Sequence, residues 1–374
     1  MKKIVSFLLL AFGAFLIYSF FLQKNDYKDE IVAFKLEDFA TGLEHPWSMA
    51  FLPDGRILVS ERVGRLRTIS KKGKVSPPIT GLPAIHDYGQ GGALGVAIDP
   101  DFKSNNVIYF SFSESIEGNS GTAVAKAKLE DNALKDLQII FRQEPKTSSN
   151  NHFGSRLVFA NDGNLFITLG EKFSHSKESQ NISNHLGKLV RINSDGTIPK
   201  DNPFVNKQNA KPQIWSFGHR NMQGAALHPT TGKLWTHEHG PKGGDEINIP
   251  IAGKNYGWPN ASYGSHYSMI PIKDDHLGQG YEEPIHYWTP SIAPSGMMFY
   301  TGDIFPKWKG SLFVGSLAQT HLARLELDGN KVINEYRMVR NLDYRVRDVA
   351  QDKEGYIYFL VDSSEGKIVR ILPK

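Results

Sequence analysis

Short hydrophobic runs alternate along most of the chain with turns that are rich in Gly, Asp, Asn and Pro. The clearest example is Met49 to Val59, in which two hydrophobic strands flank the turn Pro53-Asp54-Gly55. Hydrophobic runs of this length that are bounded by turn residues are typical of β-hairpins. Few stretches after Lys24 have the periodicity of a helix. The pattern therefore predicts an all-β fold.

The same hairpin pattern recurs along the sequence, at 49–59, 95–110, 157–167, 225–235, 298–314 and 349–359. A further alternating strand follows each hairpin, at 65–67, 123–125, 188–192, 246–249, 322–325 and 367–371. Repeated small sheets that cannot bury both faces alone are typical of a propeller. We therefore predict a six-bladed β-propeller; a β-sandwich with coincidental hairpins is the alternative. Val32 to Phe39 is expected to add an outer strand to the C-terminal blade and close the ring.

The N-terminus predicts a segment that is separate from the propeller. An unbroken apolar run from Ile4 to Leu22 follows Met1-Lys2-Lys3. This run approaches the thickness of a bilayer core, and the positive charges before it favour a cytoplasmic N-terminus. We therefore expect an exported protein, either periplasmic or tethered to the outer face of the inner membrane. The sequence leaves open whether the segment is cleaved.

These signals divide the chain into three parts. Residues 1–23 are predicted to be a signal peptide or membrane anchor, 24–31 a short linker, and 32–374 a single propeller that carries the active site. All-β propellers of this length often form one unit.

Composition narrows the classes of function. The 43 Lys and Arg residues and 39 Asp and Glu residues are interspersed and leave a net charge of +4. Because no basic stripe is present, a nucleic-acid partner is not expected. The chain has no Cys, which excludes disulfides, thiolate zinc sites and cysteine nucleophiles. Any bound metal must therefore be held by oxygen or imidazole.

The segment Glu238 to Asn248 is the most informative loop, and Asn255 to Pro259 follows it closely. Its Gly and Pro residues force an irregular backbone whose carbonyls are free to face a ligand. The carboxylates of Asp245 and Glu246 supply the hard oxygen donors that calcium prefers. The loop therefore predicts a platform for a metal and an anion; a tight connection without metal is the alternative.

Four further loops bring polar side chains to where propellers commonly bind ligands, the mouth of the central channel. The side chains are Gln90, His152, Arg220 with Asn221, and Arg345 with Arg347. The last two are separated by one residue, so both leave the same face of an extended segment. One base, several cations and amide donors predict a pocket for a planar, multiply anionic ligand beside an oxidisable or hydrolysable substrate.

In these motifs the sequence resembles the soluble PQQ-dependent aldose sugar dehydrogenases, within the broader glucose/sorbosone dehydrogenase family of six-bladed propellers. The resemblance runs from about Leu43 to Leu372. The stretches that carry it are 89–95, 152–157, 218–224, 240–248, 255–259, 292–296 and 345–348.

The resemblance implies a quinoprotein that oxidises aldose sugars to lactones. His152 matches the family's general base, which takes the proton of the anomeric hydroxyl while a hydride passes to PQQ. The positions that match cofactor contacts are Gln90, Arg220, Asn221, Arg345 and Arg347. The resemblance implies that the arginines pair with the carboxylates of PQQ and that arginine also stabilises the charge that develops on the quinone oxygen, so we count Arg220 among the catalytic residues.

The resemblance also implies calcium. The carbonyls of Gly240 and Pro241 match ligands of the Ca²⁺ that bridges the protein to PQQ and polarises the quinone. Asp245 is expected to orient that loop. Glu246 with Tyr256 resembles a second, structural calcium site.

Two positions depart from the glucose-specific members of the family. Those members have a lysine in a Ser-Leu-Lys stretch, whereas this chain has Ala318 after Ser316-Leu317. An aspartate often precedes their catalytic histidine, whereas this chain has Asn151. The first change removes a cation from the cofactor site. The second removes a carboxylate that would orient the imidazole, unless another carboxylate takes its place.

Two other functions fit the same residues. One is a calcium-dependent, lactonase-like propeller hydrolase in which His152 activates water. The other is a non-catalytic propeller that binds carbohydrate or a protein partner. As partners we expect an aldose substrate and an unidentified electron acceptor, with no membrane contact beyond a possible N-terminal anchor. The protein is expected to be a monomer or a homodimer.

Overall fold

A computed structural model of the protein describes residues 27–374, so the predicted N-terminal segment 1–23 lies outside the described residues. The regular secondary structure of the described residues is almost exclusively β-strand. The first twelve are β1 (Tyr27–Asp29), β2 (Phe34–Leu43), β3 (Pro46–Phe51), β4 (Ile57–Glu61), β5 (Arg65–Ile69), β6 (Ala93–Ile98), β7 (Val107–Ile116), β8 (Asn119–Glu130), β9 (Ala133–Arg142), β10 (Leu157–Phe159), β11 (Leu165–Thr168) and β12 (Lys188–Ile192).

The remaining strands are β13 (Ile214–Phe217), β14 (Met222–Leu227), β15 (Leu234–Glu238), β16 (Asp245–Asn248), β17 (His286–Trp288), β18 (Pro294–Phe299), β19 (Leu312–Ser316), β20 (Leu322–Asp328), β21 (Lys331–Met338), β22 (Val346–Gln351), β23 (Ile357–Val361) and β24 (Gly366–Pro373). Single helical turns lie at Phe102–Asn105 (α), and at Ser176–Gln180, Leu277–Gln279, Pro306–Trp308 and Arg340–Leu342 (3₁₀). Within 27–374, no helix is long and apolar enough to span a bilayer.

The strands form six sheets, which are the blades of a propeller. In chain order the sheets are β3-β4-β5, β6 to β9, β10 to β13, β14 to β17, β18 to β21 with β1, and β22 to β24 with β2. The first strand of each blade contacts the first strand of the next, and β22 contacts β3. The inner strands therefore form a closed ring. The prediction of a six-bladed β-propeller is confirmed.

The ring is closed by the N-terminal part of the described chain. Strand β2 pairs antiparallel with β24, from Phe34 opposite Pro373 to Leu43 opposite Gly366. The predicted outer strand is thus confirmed, and it extends beyond Phe39. Within the segment predicted as a linker, β1 forms a short parallel pair with β21 of the preceding blade.

The hydrophobic core lies between neighbouring blades. The second strands are buried on both faces, as in β4, where all of Ile57–Glu61 is buried. Leu58 of the first blade packs in one cluster with Phe110 of the second, and Phe313 of the fifth packs with Phe359 of the sixth. Because each sheet covers its neighbour, the closed ring removes hydrophobic faces that a single blade would expose.

All six inner strands begin at the same mouth of the channel. The loops that precede them carry the polar motifs noted in the sequence, such as Gln90 before β6, His152 before β10 and Arg345 before β22. The repeat of the blades therefore brings side chains together that are far apart in the chain.

Candidate active site

A cavity of about 450 Å³ lies at this mouth. Its lining residues are His45, Trp47, Arg62, Gly89, Gln90, Leu94, Phe153, Gly154, Asn221, Gln223, His239, Ala293, Leu317, Ala318, Arg345, Arg347 and Asp362. Four of the predicted ligand-binding side chains, Gln90, Asn221, Arg345 and Arg347, therefore line one cavity. His152 and Arg220 lie beside it and are tied to its wall by hydrogen bonds.

His152 is buried, with 5% of its surface exposed. Its main-chain N–H donates to Gln90 Oε1 at 2.8 Å, and its Nδ1 lies 2.6 Å from Glu171 Oε2. Burial lowers the pKa of the imidazole, the bond to Glu171 opposes this effect, and the nearby Arg220 lowers the pKa further. A neutral imidazole held by a carboxylate is suited to act as a general base.

Glu171 is the carboxylate that orients His152, and the sequence analysis did not identify it. Its Oε2 also accepts the N–H of Phe173 at 3.1 Å, and its own N–H donates to the Arg220 carbonyl at 2.9 Å. It therefore takes the place of the acid that is missing at Asn151. The same bonds fix Arg220 close to the imidazole.

Arg220 and Asn221 connect the third blade to the fourth. The Arg220 N–H donates to Glu238, and the guanidinium donates to the His239 carbonyl at 3.0 Å and to the Tyr267 hydroxyl at 3.2 Å. Its Nε is buried without a hydrogen-bond partner within residues 27–374. The Asn221 side chain accepts the N–H of Gly154 at 3.1 Å.

Close main-chain contact is needed where these loops meet. A Cβ atom on Gly170 would lie 2.2 Å from the His152 carbonyl oxygen, so only glycine fits there.

Arg345 and Arg347 lie on the same side of the cavity, as their spacing predicts, and both face Asp362. The distances to Asp362 Oδ2 are 3.8 Å from Arg345 Nη2 and 2.5 Å from Arg347 Nη2. His45 Nδ1 lies 2.8 Å from Asp362 Oδ1. Burial would raise the pKa of Asp362, but the bonds to Arg347 and His45 lower it to about 2. The Asp362 carboxylate thus fixes Arg345 and Arg347 in the wall of the cavity.

Glu171 and Asp362 share their place in the blade with two other acids. Glu171 and Asp362 lie one to three residues beyond the second strand of their blades, and Glu61 and Glu238 are the last residues of the second strands β4 and β15. The acid at this repeat position is a sequence signal that could have identified Glu171, Asp362 and Glu238, had the blades been aligned strand by strand.

Asp245 holds the loop that begins at Gly240. One carboxylate oxygen accepts the Gly240 N–H at 2.8 Å. The other accepts from the Ser291 hydroxyl at 2.7 Å and from the N–H groups of Ile292 and Ala293 at 2.8 and 2.9 Å. Burial raises the pKa of Asp245 to about 6 although these donors lower it. A Cβ on Gly240 would lie 2.1 Å from the Gly243 carbonyl oxygen, so this turn requires glycine.

Glu238 and Glu246 face each other across β15 and β16. Burial and the neighbouring Glu238 raise the pKa of Glu246 well above its ordinary value. The Tyr256 hydroxyl donates to the Ile249 carbonyl at 2.9 Å and accepts the Ile251 N–H at 3.0 Å. A small pocket that Arg220 and Gly240 also line contains both acids and Tyr256.

A cation in this region would need main-chain oxygen as well as carboxylate. Among residues 27–374, no group of three or more His, Asp and Glu side chains has the arrangement of a metal site. Gly240 lines the small pocket with Glu238 and Glu246, and Pro241 beside it is also buried, so main-chain carbonyls are candidate donors beside the two carboxylates. This mixed donor set suits a hard cation such as Ca²⁺.

The floor and one wall of the cavity consist of residues that carry no charge. Trp47, Leu94 and Phe153 form a buried cluster that lines the cavity. Ala318 lines it as well, so the wall has no cation at that position.

The sequence matches a known family over almost its whole length. The family model described as Glucose / Sorbosone dehydrogenase matches residues 43–370. The aldose sugar dehydrogenase YliI of Escherichia coli is 44% identical over 338 residues, which cover 89% of this chain and 91% of that protein. Quinoprotein glucose dehydrogenase B of Acinetobacter calcoaceticus is 27% identical over 88% of this chain and 85% of its own length.

Solved structures have the same fold. The crystal structure of the soluble aldose sugar dehydrogenase from Escherichia coli in the apo-form matches with a TM-score of 0.88 and 42% identity, over 91% of this chain and 100% of that one. The PQQ-bound form of aldose sugar dehydrogenase from Streptomyces coelicolor matches with a TM-score of 0.76 and 25% identity, over 91% of this chain and 98% of that one.

Proposed function

The chain belongs to the glucose/sorbosone dehydrogenase family, and we propose that it oxidises aldose sugars to lactones with PQQ as the electron acceptor in the site. The observation that carries this proposal is the His152–Glu171 pair, joined at 2.6 Å, beside a cavity whose wall holds Arg345 and Arg347. A base next to a cationic, partly apolar cavity suits the oxidation of a neutral sugar beside an anionic planar cofactor.

The residues present fit PQQ in charge, and the cavity fits it in size. The cavity is large enough for a ligand of that size, and Arg345 and Arg347 can pair with carboxylates. Arg220 Nε is a buried donor without a partner within 27–374, as expected for a group that binds a ligand. We propose that Gln90 and Asn221 complete the contacts, since both line the same cavity.

In this proposal His152 is the catalytic base. Its Nδ1 is occupied by Glu171, so Nε2 is the nitrogen that is free to take the proton of the anomeric hydroxyl. Bound PQQ supplies a quinone that accepts the hydride from C1 of the sugar. Arg220 places a positive charge close to the imidazole. In the proposed reaction this charge would stabilise the negative charge that develops on the quinone oxygen.

We further propose that Ca²⁺ binds at the carbonyls of Gly240 and Pro241, and that Glu246 and Tyr256 belong to a second, structural calcium site. The donor chemistry supports the first site, because Asp245 fixes the loop from behind. For the second site, Glu238 and Glu246 are buried opposite each other, and a cation bound between them would offset the burial and repulsion that raise the pKa of Glu246. In Tyr256 the main-chain carbonyl is the oxygen available to coordinate a cation, since the hydroxyl already forms hydrogen bonds with Ile249 and Ile251.

Reconstitution of the full chain tests the proposed function. Calcium and PQQ added to the purified protein should give a sugar-dependent bleaching of a redox dye. His152→Ala should lower kcat by roughly 10²- to 10⁴-fold while PQQ still binds. A folded protein that binds no PQQ would instead favour a hydrolase or a non-catalytic binding protein, and a lactone panel without PQQ would separate these two.

The place of action and the partners stay proposals. We propose export to the periplasm or to the outer face of the inner membrane, supported by the apolar run Ile4 to Leu22 in the sequence. The substrate proposed is an aldose, and the acceptor that reoxidises the cofactor is unidentified.

A further inference from the structure

Two exposed aromatic side chains lie beside the catalytic residues. Phe173 and Tyr267 are 46% and 62% exposed. The Phe173 ring is perpendicular to the His152 ring, and the ring centres are 5.2 Å apart. The Tyr267 hydroxyl accepts from the Arg220 guanidinium at 3.2 Å, and the centres of the Phe173 and Tyr267 rings are 6.1 Å apart. Phe173 and Tyr267, the aromatic pair, thus form one surface next to the base.

The aromatic pair lies on the solvent-facing side of the base. His152 and Arg220 are 5% and 4% exposed, whereas the two rings that contact them are open to solvent. The rings come from different blades, since Phe173 follows β11 of the third and Tyr267 lies between β16 and β17 of the fourth. A sugar whose anomeric hydroxyl reaches the imidazole therefore comes within contact distance of the pair.

The backbone that presents the Phe173 ring is strained. Lys172 and Phe173 have φ angles of 63° and 61°, in the left-handed region that favours glycine. A bulky side chain in this region costs stability, and such a cost is commonly retained at functional sites. Because about half of the Phe173 side chain stays exposed, its packing contributes little to offset the strain. The ring is therefore better explained by a ligand than by the fold.

We propose that Phe173 and Tyr267 are specificity-determining residues that bind the ring of the aldose. The inference rests on the proposed function. A pyranose with equatorial hydroxyls, such as glucose, presents C–H groups on its faces, and the electron-rich face of an aromatic ring attracts and desolvates them. The arginines of the cavity suit an anionic cofactor, whereas the aromatic pair supplies the apolar surface that a neutral sugar needs.

Phe173→Gly separates this role from a structural one. Glycine keeps the N–H that donates to Glu171, and it adopts a φ of 61° without strain. We expect the melting temperature to change little, because the relief of strain offsets the lost packing. KM for glucose should rise roughly 3- to 10-fold with kcat nearly unchanged, because the ring contacts the sugar equally before and during the reaction. Calorimetry and the redox-dye assay on the full-length protein with calcium and PQQ measure these quantities.

Glu117→Gly is the matched control. Glu117 has a φ of 50° at the exposed tip of the hairpin between β7 and β8. The same exchange therefore relieves a similar backbone conformation without removing an aromatic ring. KM and kcat of this variant should equal those of the wild-type protein.

At Tyr267, two variants separate the ring from the hydroxyl. Tyr267→Phe keeps the ring and loses the bond to Arg220, whereas Tyr267→Ala loses both. We expect Tyr267→Ala to raise KM for glucose roughly 3- to 10-fold and Tyr267→Phe to leave it near the wild-type value. If both variants raise KM equally, the hydroxyl is the group that matters and the role of the ring is wrong.

Saturation-transfer NMR gives a readout that does not depend on turnover. The protein with calcium but without PQQ is mixed with glucose, and the aromatic protons of the protein are saturated. Saturation should pass to the C–H protons of glucose in the wild-type protein and should be clearly weaker in Phe173→Gly.

The outcomes separate this inference from the proposed function. If the wild-type protein oxidises glucose with PQQ, and Phe173→Gly keeps both the KM and the saturation transfer, the role of the aromatic pair is wrong and the proposed function stands. If the wild-type protein neither binds PQQ nor oxidises an aldose, both fail. If Phe173→Gly does not fold, the comparison of Tyr267→Ala with Tyr267→Phe decides.

Discussion

At the scale of single residues, the orientation of His152 depends on one carboxylate. Glu171 binds the imidazole at Nδ1 and is itself fixed by the N–H of Phe173 and by the Arg220 carbonyl. A carboxylate in this place selects the tautomer of the histidine and stabilises the imidazolium that forms when the base takes a proton. Glu171 is therefore a positioning residue, since it acts through His152.

Glu171→Gln should show how much of the effect of Glu171 on catalysis depends on its negative charge, because Gln has nearly the same shape. The amide keeps an oxygen that can accept from Nδ1 but no longer stabilises a protonated imidazole. We expect kcat to fall roughly 10- to 100-fold with little change in PQQ affinity. Glu117→Gln, at an exposed hairpin tip, is the control. An unchanged kcat in Glu171→Gln would contradict the role given to the carboxylate.

The pH profile follows from the shifted pKa of His152. The base acts in its neutral form, and burial lowers its pKa below the ordinary 6.5. We therefore expect kcat/KM to be flat above about pH 7 and to fall only below pH 6.5 as the imidazole becomes protonated. In Glu171→Gln a contribution that raises this pKa is lost, so the acid limb should move to lower pH. A shift towards higher pH would contradict the assignment.

At the scale of elements, Asp245 joins two blades at the proposed calcium loop. It lies in β16 of the fourth blade, and it accepts from Ser291, Ile292 and Ala293, which lead into β18 of the fifth. The same carboxylate accepts from Gly240. One buried side chain thus sets both the path into a blade and the shape of the turn that faces the cavity.

Asp245→Asn should loosen this turn. An amide has one oxygen, so if it keeps the bonds to the fifth blade, its NH₂ group faces the Gly240 N–H and that donor is left unsatisfied. We expect the free energy of unfolding to fall by about 1–3 kcal/mol and calcium to bind more weakly. Chemical denaturation with and without calcium measures both effects. Asp303→Asn, on the surface, is the control, and equal midpoints for the two variants would refute the argument.

Much of the element pattern could be predicted from the sequence because each blade repeats the same hairpin. The loops before the inner strands were recognised for that reason, and with them His152 and Arg345. Their partners Glu171 and Asp362 were not, because they lie beyond the next strand of the same blade, at a repeat position that only a strand-by-strand alignment of the blades marks. Strand β1 was missed because three residues that pair with partners 308 positions away, such as Tyr27 with Glu335, have no local pattern.

At the scale of the whole molecule, stability depends on joining the two ends of the described chain. Strand β2 covers the edge of β24 over its full length, and β1 pairs with Glu335 to Arg337 of β21. Between them, Glu30 pairs with Arg324 at 2.6 Å, and the two side chains are 2% and 5% exposed. Because the partners lie far apart in sequence, we expect this closure to form late in the assembly of the ring.

Truncation tests how far the propeller depends on this closure. We compare 27–374, which keeps β1 and β2, with 44–374, which removes both and leaves β24 with an unpaired edge. The first should unfold in one cooperative transition and bind PQQ. The second should aggregate or unfold several degrees lower, because Arg324 loses its buried counter-ion and the free edge can pair with other chains. Calorimetry and light scattering measure both, and equal melting temperatures would show that the remaining strands suffice to hold the ring.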